Sequence, residues 1–341
     1  MYLSILIPVF NAENHIINCL QSILKQEINS EDYEVLIIND GSTDESSRLI
    51  ADFVKDKPNM QLFDQNNKGN AATRNSLVEM AQGTYVYCLD ADDYLIPGAL
   101  KKVLDFALNN EMDFVGFHSS ETLRPDENKL SSDHLNDAIL ISTGVEFLKE
   151  KSLPYVEVWW YLVSKKLLKD FQIGLDNITM ADVIFTYKIV LSSRRMCVLP
   201  LQVHWYFQSP VSIMRTKGSI AEHKLRLADA TYEMVLRLND LIEKPEEFTL
   251  DTNVDVKKDL ILKRDYYSFF MIIKWLRFSR NSQKIKDKIT ILEQRSMYPF
   301  TSHVQIHKIP YFFEKIINSV INTKRIVFAL IWISSIYKHK K

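Results

Sequence analysis

Several features that would suggest a specialised fold are scarce in this sequence. Its three cysteines (Cys19, Cys88, Cys197) are scattered and form no CxxC pair. That argues against a disulfide framework or a cysteine zinc site and points to a reducing compartment. Eight glycines and ten prolines in 341 residues exclude collagen-like repeats and Gly/Ser linker architectures. The longest late apolar run, residues 326–333, extends at most to Tyr337, short of the roughly 20 residues a bilayer-spanning helix needs. The N-terminus enters an apolar run with no basic segment before it, which predicts no cleavable leader. Neither a GxxxxGK[ST] loop nor a GxGxxG turn occurs, so P-loop and nicotinamide chemistry lack support.

What is present is ordinary in bulk and uneven in distribution. Hydrophobic residues make up 46% and charged residues 25%, the composition of a globular protein of one large domain or two. The net charge of -1 conceals two opposed halves. Residues 1–250 carry 24 Lys and Arg against 36 Asp and Glu, whereas residues 251–341 carry 18 against 7. A basic tail on an acidic body suggests a polyanionic surface as partner.

Over the first 117 residues short apolar runs alternate with helical periodicity. Strands are predicted at Tyr2–Ile7 (closed by Pro8), Tyr33–Ile38, Met60–Phe63, Thr84–Leu89 and Asp113–Phe117. Helices are predicted at Glu13–Gln26, after a Ser42/Glu45 capping box, at Ala71–Ala81 and at Gly98–Asn109. This alternation predicts an α/β fold with βαβ crossovers and a mostly parallel sheet flanked by helices. Beyond Ser119 the rhythm fails. Residues 120–137 read as loop, followed by short helices at Thr143–Lys149, Ser164–Lys169 and Ala181–Leu191 and strands at Met196–Leu199 and Val203–Phe207. From Ser219 onward the chain reads as helical. The expected division is a domain over 1–217, whose alternating part covers 1–118 and whose irregular part covers 119–217, then a helical C-terminal region over 218–341.

In open α/β sheets ligands bind beyond the carboxyl ends of the strands. Three polar clusters follow strands here: Pro8 to Glu13, Asn39 to Asp44, and Asp90-Ala91-Asp92-Asp93. Asn, Asp and Gly are common turn residues, which explains the first two equally well. Three carboxylates within four residues after an apolar strand repel one another unless a cation arrives, and hard divalent cations take such oxygens together with substrate phosphates. Lys68 to Asn75 puts a glycine and small residues at a helix start, with Arg74 one turn inside, an arrangement suited to phosphate.

Together SILIPVFNAENHI, VLIINDGSTDES, NKGNAATRN and GTYVYCLDADDYL resemble family 2 glycosyltransferases of the GT-A fold, in order and spacing over roughly the first 100 residues. The resemblance implies inverting transfer from a nucleotide-diphosphate sugar, usually a UDP-sugar, to a saccharide or lipid-linked acceptor in bacterial surface polysaccharide or glycolipid synthesis. By the same resemblance Pro8, Phe10 and Glu13 line the nucleoside pocket and Asp40 holds the uracil. Arg74 lies near the nucleotide or its phosphates, Asp90 contacts the ribose, Asp92 ligates Mn2+ or Mg2+, and Asp93 assists through the donor sugar or the metal's water shell, which puts nucleotide-sugar binding in 1–118 and the acceptor and catalytic part in 119–217. Asp182, in Thr179-Met180-Ala181-Asp182, is the expected general base, although Ala181 stands where the family usually has Glu. His204 is a candidate metal ligand and Arg215 a candidate phosphate contact; a structural role suits His204 equally. Trp159 and Trp160 read as core more readily than as a sugar platform. The Gln-x-x-Arg-Trp motif of processive members is absent, which implies one sugar per encounter. The alternative is a degenerate module that binds nucleotide-sugar or membrane without transferring, for which Ala181 is the only support.

Residues 257–341 interleave Lys and Arg with aromatic residues, and the last helix is flanked by Lys324-Arg325 and Lys338 to Lys341. This suits contact with the inner leaflet of a membrane; the alternative is a helical subdomain whose apolar faces make its own core or a homodimer interface, with Lys and Arg solvated. Nucleic acid is not expected, because no recognised binding module is present. The expected location is cytoplasmic, peripheral on the inner face of the membrane.

Overall fold

The structure is a computed structural model that describes residues 1–122, 139–207, 220–244, 247–248, 257–279, 281–306 and 309–338. The chain forms two compact units, one built mainly from the residues before 208 and the other mainly from those after 219. The expected boundary near residue 217 and the candidate Arg215 lie outside the described residues.

The first unit is an eight-stranded sheet flanked by helices. In chain order its elements are β1 (Leu3–Val9), α1 (Ile16–Leu24), β2 (Tyr33–Asp40), α2 (Ser46–Val54), β3 (Met60–Gln65), α3 (Asn70–Met80), β4 (Tyr85–Cys88), β5 (Tyr94–Leu95), α4 (Ala99–Asn109), β6 (Phe114–Thr122), α5 (Gly144–Glu150), β7 (Tyr161–Ser164), α6 (Lys165–Asp170), α7 (Ala181–Ser192) and β8 (Met196–Phe207). The strand order is β3-β2-β1-β4-β7-β6-β8-β5. The pairs β1–β2, β2–β3, β1–β4 and β6–β8 are parallel, and β4–β7, β6–β7 and β5–β8 are antiparallel. β1, β2 and β4 are buried almost throughout because helices cover both faces of the parallel part, and the polar Ser4 and Glu34 within them pair with each other. Their inward side chains, among them Ile5, Ile7, Val35 and Tyr87, pack with Ile16, Leu20 and Leu100 in one core.

Four local expectations need correction. β1 runs through Pro8 to Val9. Pro8 lies past Leu6↔Cys88, the last pair with β4, and a missing N–H is tolerated at such an edge-like position. β8 is continuous through Pro200 for the same reason, since β5 pairs with it only at Trp205 and His204. No capping box forms at Ser42 and Glu45: α2 starts at Ser46, Ser42 Oγ accepts from Asn11 N at 2.9 Å and Glu45 N donates to Glu13 Oε2 at 3.0 Å. The capping box that does form is Thr143 with Glu146, at the start of α5. Finally, β7 supplies a strand where none was expected. Its four residues are too few to show a period-2 signal.

The second unit is helical: α8 (Ile220–Glu243), α9 (Lys257–Phe278), α10 (Ser282–Gln294), α11 (Tyr311–Ile321) and α12 (Lys324–Lys338). Met234, Val235 and Leu238 are fully buried, as are Phe269, Ile272, Ile289 and Leu292. At its centre Arg264 donates to Asp265 and to Asn239 Oδ1. Asp265 Oδ2 accepts from the backbone of Thr301 and Ser302, so this buried ion pair has its remaining oxygen satisfied.

Candidate functional site

Because β1, β2 and β4 are parallel neighbours, the loops that follow them open at the same edge of the sheet. The first two loops are laced together. Asn11, left-handed at φ 51°, accepts at Oδ1 from Thr43 N at 2.8 Å. Glu13 N donates to Asp44 Oδ2 at 3.0 Å. Phe10 is 40% exposed, an open aromatic face at the mouth of the sheet.

Asp40 ends β2 and is buried. Its Oδ1 accepts from Lys68 N and Gln65 Nε2, each at 2.8 Å, and its Oδ2 accepts from Gly69 N at 2.9 Å. The carboxylate thus fixes the loop that leads into α3. Gly41 (φ 75°) must be glycine there, since a Cβ would meet Asn67 N at 3.0 Å.

α3 then delivers Arg74, whose side chain is 4% exposed. Nη2 donates to Asp90 Oδ1 at 2.6 Å and Nη1 to Asp182 Oδ1 at 3.0 Å. Burial works against the guanidinium, but Asp90 and Asp182 together hold its pKa above the ordinary value. One buried cation therefore ties the β4 loop to the first turn of α7. Burial pushes the Asp182 carboxyl up; Arg74 pulls it back, and the charges of Asp90 and Glu157 add to the rise. Among the described residues Asp182 Oδ2 accepts no hydrogen bond. Its neighbour Ala181 is 3% exposed, so the small side chain is packed inward.

The rest of the β4 loop divides its acids between two tasks. Asp93 is buried: Oδ2 lies 3.0 Å from His204 Nε2, and Oδ1 accepts from Phe207 N at 2.8 Å. Burial raises its pKa, and His204 opposes the rise. His204 uses its other nitrogen too, Nδ1 lying 2.8 Å from Ser119 Oγ, and its ring stacks on Trp159 at 4.5 Å and 11°. Both ring nitrogens are thereby engaged within the protein, and Trp159 and Trp160 are buried. Asp92 has no ion-pair partner among the described residues. Burial, then the charges of Asp90 and Asp93, push its carboxyl up to about 7.

Sequence reasoning named Asp40, Arg74, Asp90, Asp93 and Asp182 without seeing how they pair. It missed Asn11, Ser119 and Glu157. Asn11 carried a signal, because Asn is the non-glycine residue that best tolerates a left-handed turn. Glu157 carried none, since its relation to Asp182 arises only when the chain folds. Among the described residues no group of three or more His, Cys, Asp or Glu side chains is placed to hold a metal by itself. The donor set still fits a divalent cation held jointly with a ligand: Asp92 is an oxygen donor with no cationic partner, and two further carboxylates stand beside it.

The mixed sheet, the carboxylate loop after β4 and the helical extension define a GT-A fold. Two solved structures share it. The chain aligns with Staphylococcus aureus TarS residues 1–349, in complex with UDP-GlcNAc, at TM-score 0.62 and 17% identity, covering 100% of this chain and 92% of that one. It aligns with the mannosyltransferase PcManGT of Pyrobaculum calidifontis, in complex with GDP-Man and Mn2+, at TM-score 0.54 and 14% identity, covering 98% and 87%. Residues 4–168 match the model of glycosyl transferase family 2. Among curated relatives, the poly(ribitol-phosphate) β-glucosyltransferase of Bacillus spizizenii is 36% identical over 115 residues, or 33% of this chain and 18% of the relative. This chain also covers less than two thirds of the other first relatives it matches.

Proposed function

We propose that the protein transfers a sugar from a nucleotide-diphosphate sugar, a UDP-sugar in the first instance, to a saccharide or lipid-linked acceptor with inversion at the anomeric carbon. The observation that carries the reading is the Arg74 bridge, which sets a carboxylate with an open oxygen, Asp182, beside the acidic loop that receives the donor. The family of residues 4–168, the UDP-GlcNAc bound by TarS and the polymer glucosylated by the Bacillus relative support it.

In this reading Asp182 Oδ2 takes the proton of the attacking hydroxyl. A raised carboxyl pKa makes it a better acceptor, and Arg74 keeps it oriented and ionised. Phe10 offers a face for the base, and Asp40 holds the Lys68–Gly69 loop at the nucleoside side of the site. Asp92 would hold Mn2+ or Mg2+ together with the diphosphate, with Asp90 and Asp93 adjacent. Such an ion supplies Lewis acidity toward the leaving diphosphate. His204 positions Asp93. The functional division at residue 217, with a helical C-terminal region beyond it, is part of the same proposal.

The test is a donor screen with the full chain, Mn2+ and a panel of UDP-, GDP- and dTDP-sugars, read as nucleotide diphosphate released with and without EDTA. Metal-dependent release from one donor is expected. Asp92→Asn should abolish it, and Asp182→Asn should keep nucleotide binding while stopping transfer. Binding without turnover across a broad acceptor panel would favour a non-catalytic module, the reading that Ala181 supports. No binding to any donor would overturn both.

A further inference from the structure

We propose that the exposed faces of α11 and α12 form a docking surface for an anionic lipid bilayer, on which the protein lies without crossing it. Half of the exposed large apolar side chains among the described residues fall in these two helices. They follow helical spacing. Phe312 and Ile316 stand at i and i+4 of α11, and Ile326, Leu330 and Ile333 at i, i+4 and i+7 of α12, whereas Ile321, Val327 and Ile331 turn into the unit. Trp332 is 60% exposed and Phe312 69%. So many exposed aromatic and aliphatic side chains on two consecutive helices are uncommon on a protein that stays in water.

The charge around it selects the partner. After Glu293 the sequence contains eight Lys and Arg and a single acid, Glu314. Glu314 is buried against His303 and the backbone of Ile306. Lys315, Lys324 and Arg325 flank the apolar side chains, with no exposed acid in either helix among the described residues; Lys324 pairs with Glu293 of α10, so Lys315 and Arg325 are the cations these helices offer to a partner. Lys315 lies over the Tyr311 ring at 4.6 Å and Lys324 over Phe328 at 5.4 Å. Apolar side chains with cations around them match the boundary between acyl chains and anionic headgroups. A second copy of the same face is the poorer occupant, because a two-fold contact would set these cations against one another.

The geometry also decides how the surface engages. No single described helix is long and apolar enough to cross a membrane; α11 and α12 taken together are, but they meet at 86° and so form no straight span. At about 1.5 Å per residue the longer, α12, spans roughly 23 Å, less than the roughly 30 Å hydrocarbon core. The two helices are therefore suited to lie in the interface.

The experiment is flotation of the full chain with vesicles of equal phosphatidylglycerol and phosphatidylcholine, compared with phosphatidylcholine alone, together with tryptophan fluorescence. Trp159, Trp160, Trp205 and Trp275 are all buried, so a vesicle-induced blue shift and quenching by brominated lipid report Trp332. Expected are partition into the anionic vesicles, loss of partition at high salt, and a drop of about tenfold or more in the combined Phe312→Ser, Phe313→Ser, Trp332→Ser variant. Lys315→Glu with Arg325→Glu should weaken anionic binding while leaving the apolar face intact. Failure of the wild-type chain to float, or flotation unchanged in the triple variant, would overturn the proposal. So would a dimer, seen by ultracentrifugation without vesicles, that the triple variant dissociates. If that variant does not fold, wild-type Trp332 decides: absence of quenching by brominated lipid sinks the idea. The flotation readout is independent of the proposed transfer reaction, because it uses neither donor nor metal.

Discussion

Arg74 holds Asp182 through Nη1 and Oδ1 at 3.0 Å, and the same guanidinium reaches Asp90 at 2.6 Å. A planar fork with donors on separate nitrogens can serve two carboxylates at once. A lysine ammonium cannot reproduce that geometry. The link means that the expected base and the donor loop cannot move independently of α3.

Replacing Arg74 should therefore harm both chemistry and stability. Arg74→Ala leaves two carboxylates facing each other without their buried cation, a loss of about 3–5 kcal/mol measurable by denaturant unfolding. Arg74→Lys should retain part of that stability yet lower turnover by roughly 100-fold, since Asp182 loses its orientation. In Arg74→Ala Asp182 also loses the cation that holds its pKa down, so the acidic limb of any remaining pH–rate profile should move to higher pH. A Lys variant with normal turnover would show that the bridge only supports the fold.

These pairings explain what the sequence did and did not disclose. β1, β2 and β4 were legible because short runs rich in apolar and β-branched residues, such as Val35 to Ile38, suit strands covered on both faces. The acids of the β4 loop stood out for the same reason, as polar residues immediately after such a strand. Tyr161–Ser164 was illegible because four residues carry no periodicity, and its place between β4 and β6 is decided by tertiary pairing. Residue type and local position suggested a place for Arg74 near the nucleotide or its phosphates, whereas its pairing with Asp90 and Asp182 joins segments that the sequence does not connect. For His204 the sequence left a metal-binding and a structural role open, and it could not show that Ser119 and Asp93 stand at its two ring nitrogens.

His204 yields a test that separates a structural from a metal-binding role. Its removal in His204→Ala leaves Asp93 buried with only the Phe207 N–H, and removes the ring stacked on Trp159. A stability loss of about 3 kcal/mol or more is expected. Mn2+ affinity, measured by calorimetry on folded protein with nucleotide present, should change less than about threefold. A fall of about 10- to 100-fold would mark His204 as a ligand or a direct support of one.

Asp40 should prove a loop fastener. Asp40→Asn keeps the shape but turns an amide NH2 toward one of three donors, from Gln65, Lys68 and Gly69. A cost of about 1–3 kcal/mol is expected for the donor left unsatisfied, with faster amide exchange at Lys68 and Gly69. Weakened UDP binding with unchanged exchange would mean instead that Asp40 acts on the nucleotide directly.

Asp92 connects pH to both stability and metal binding. Its carboxyl sits at about 7 in the metal-free protein, raised first by burial and then by Asp90 and Asp93. A raised carboxyl favours the protonated form in the folded state. Asp92 therefore costs the metal-free fold nothing below pH ~4, where both states are protonated, and an increasing amount up to pH ~7, above which the cost levels off. A divalent cation needs the ionised form, so its apparent affinity should rise by about tenfold per pH unit below 7 and flatten above it. Titrating Mn2+ at pH 5.5, 6.5 and 7.5 by calorimetry, with buffers of different ionisation enthalpy, should reveal a released proton at the two lower values. Asp92→Asn should remove the proton release together with most of the affinity, and it should make the metal-free protein less sensitive to pH between 4 and 7. A flat affinity across that range, with no proton released, would mean that Asp92 is already ionised and that the cation is held elsewhere.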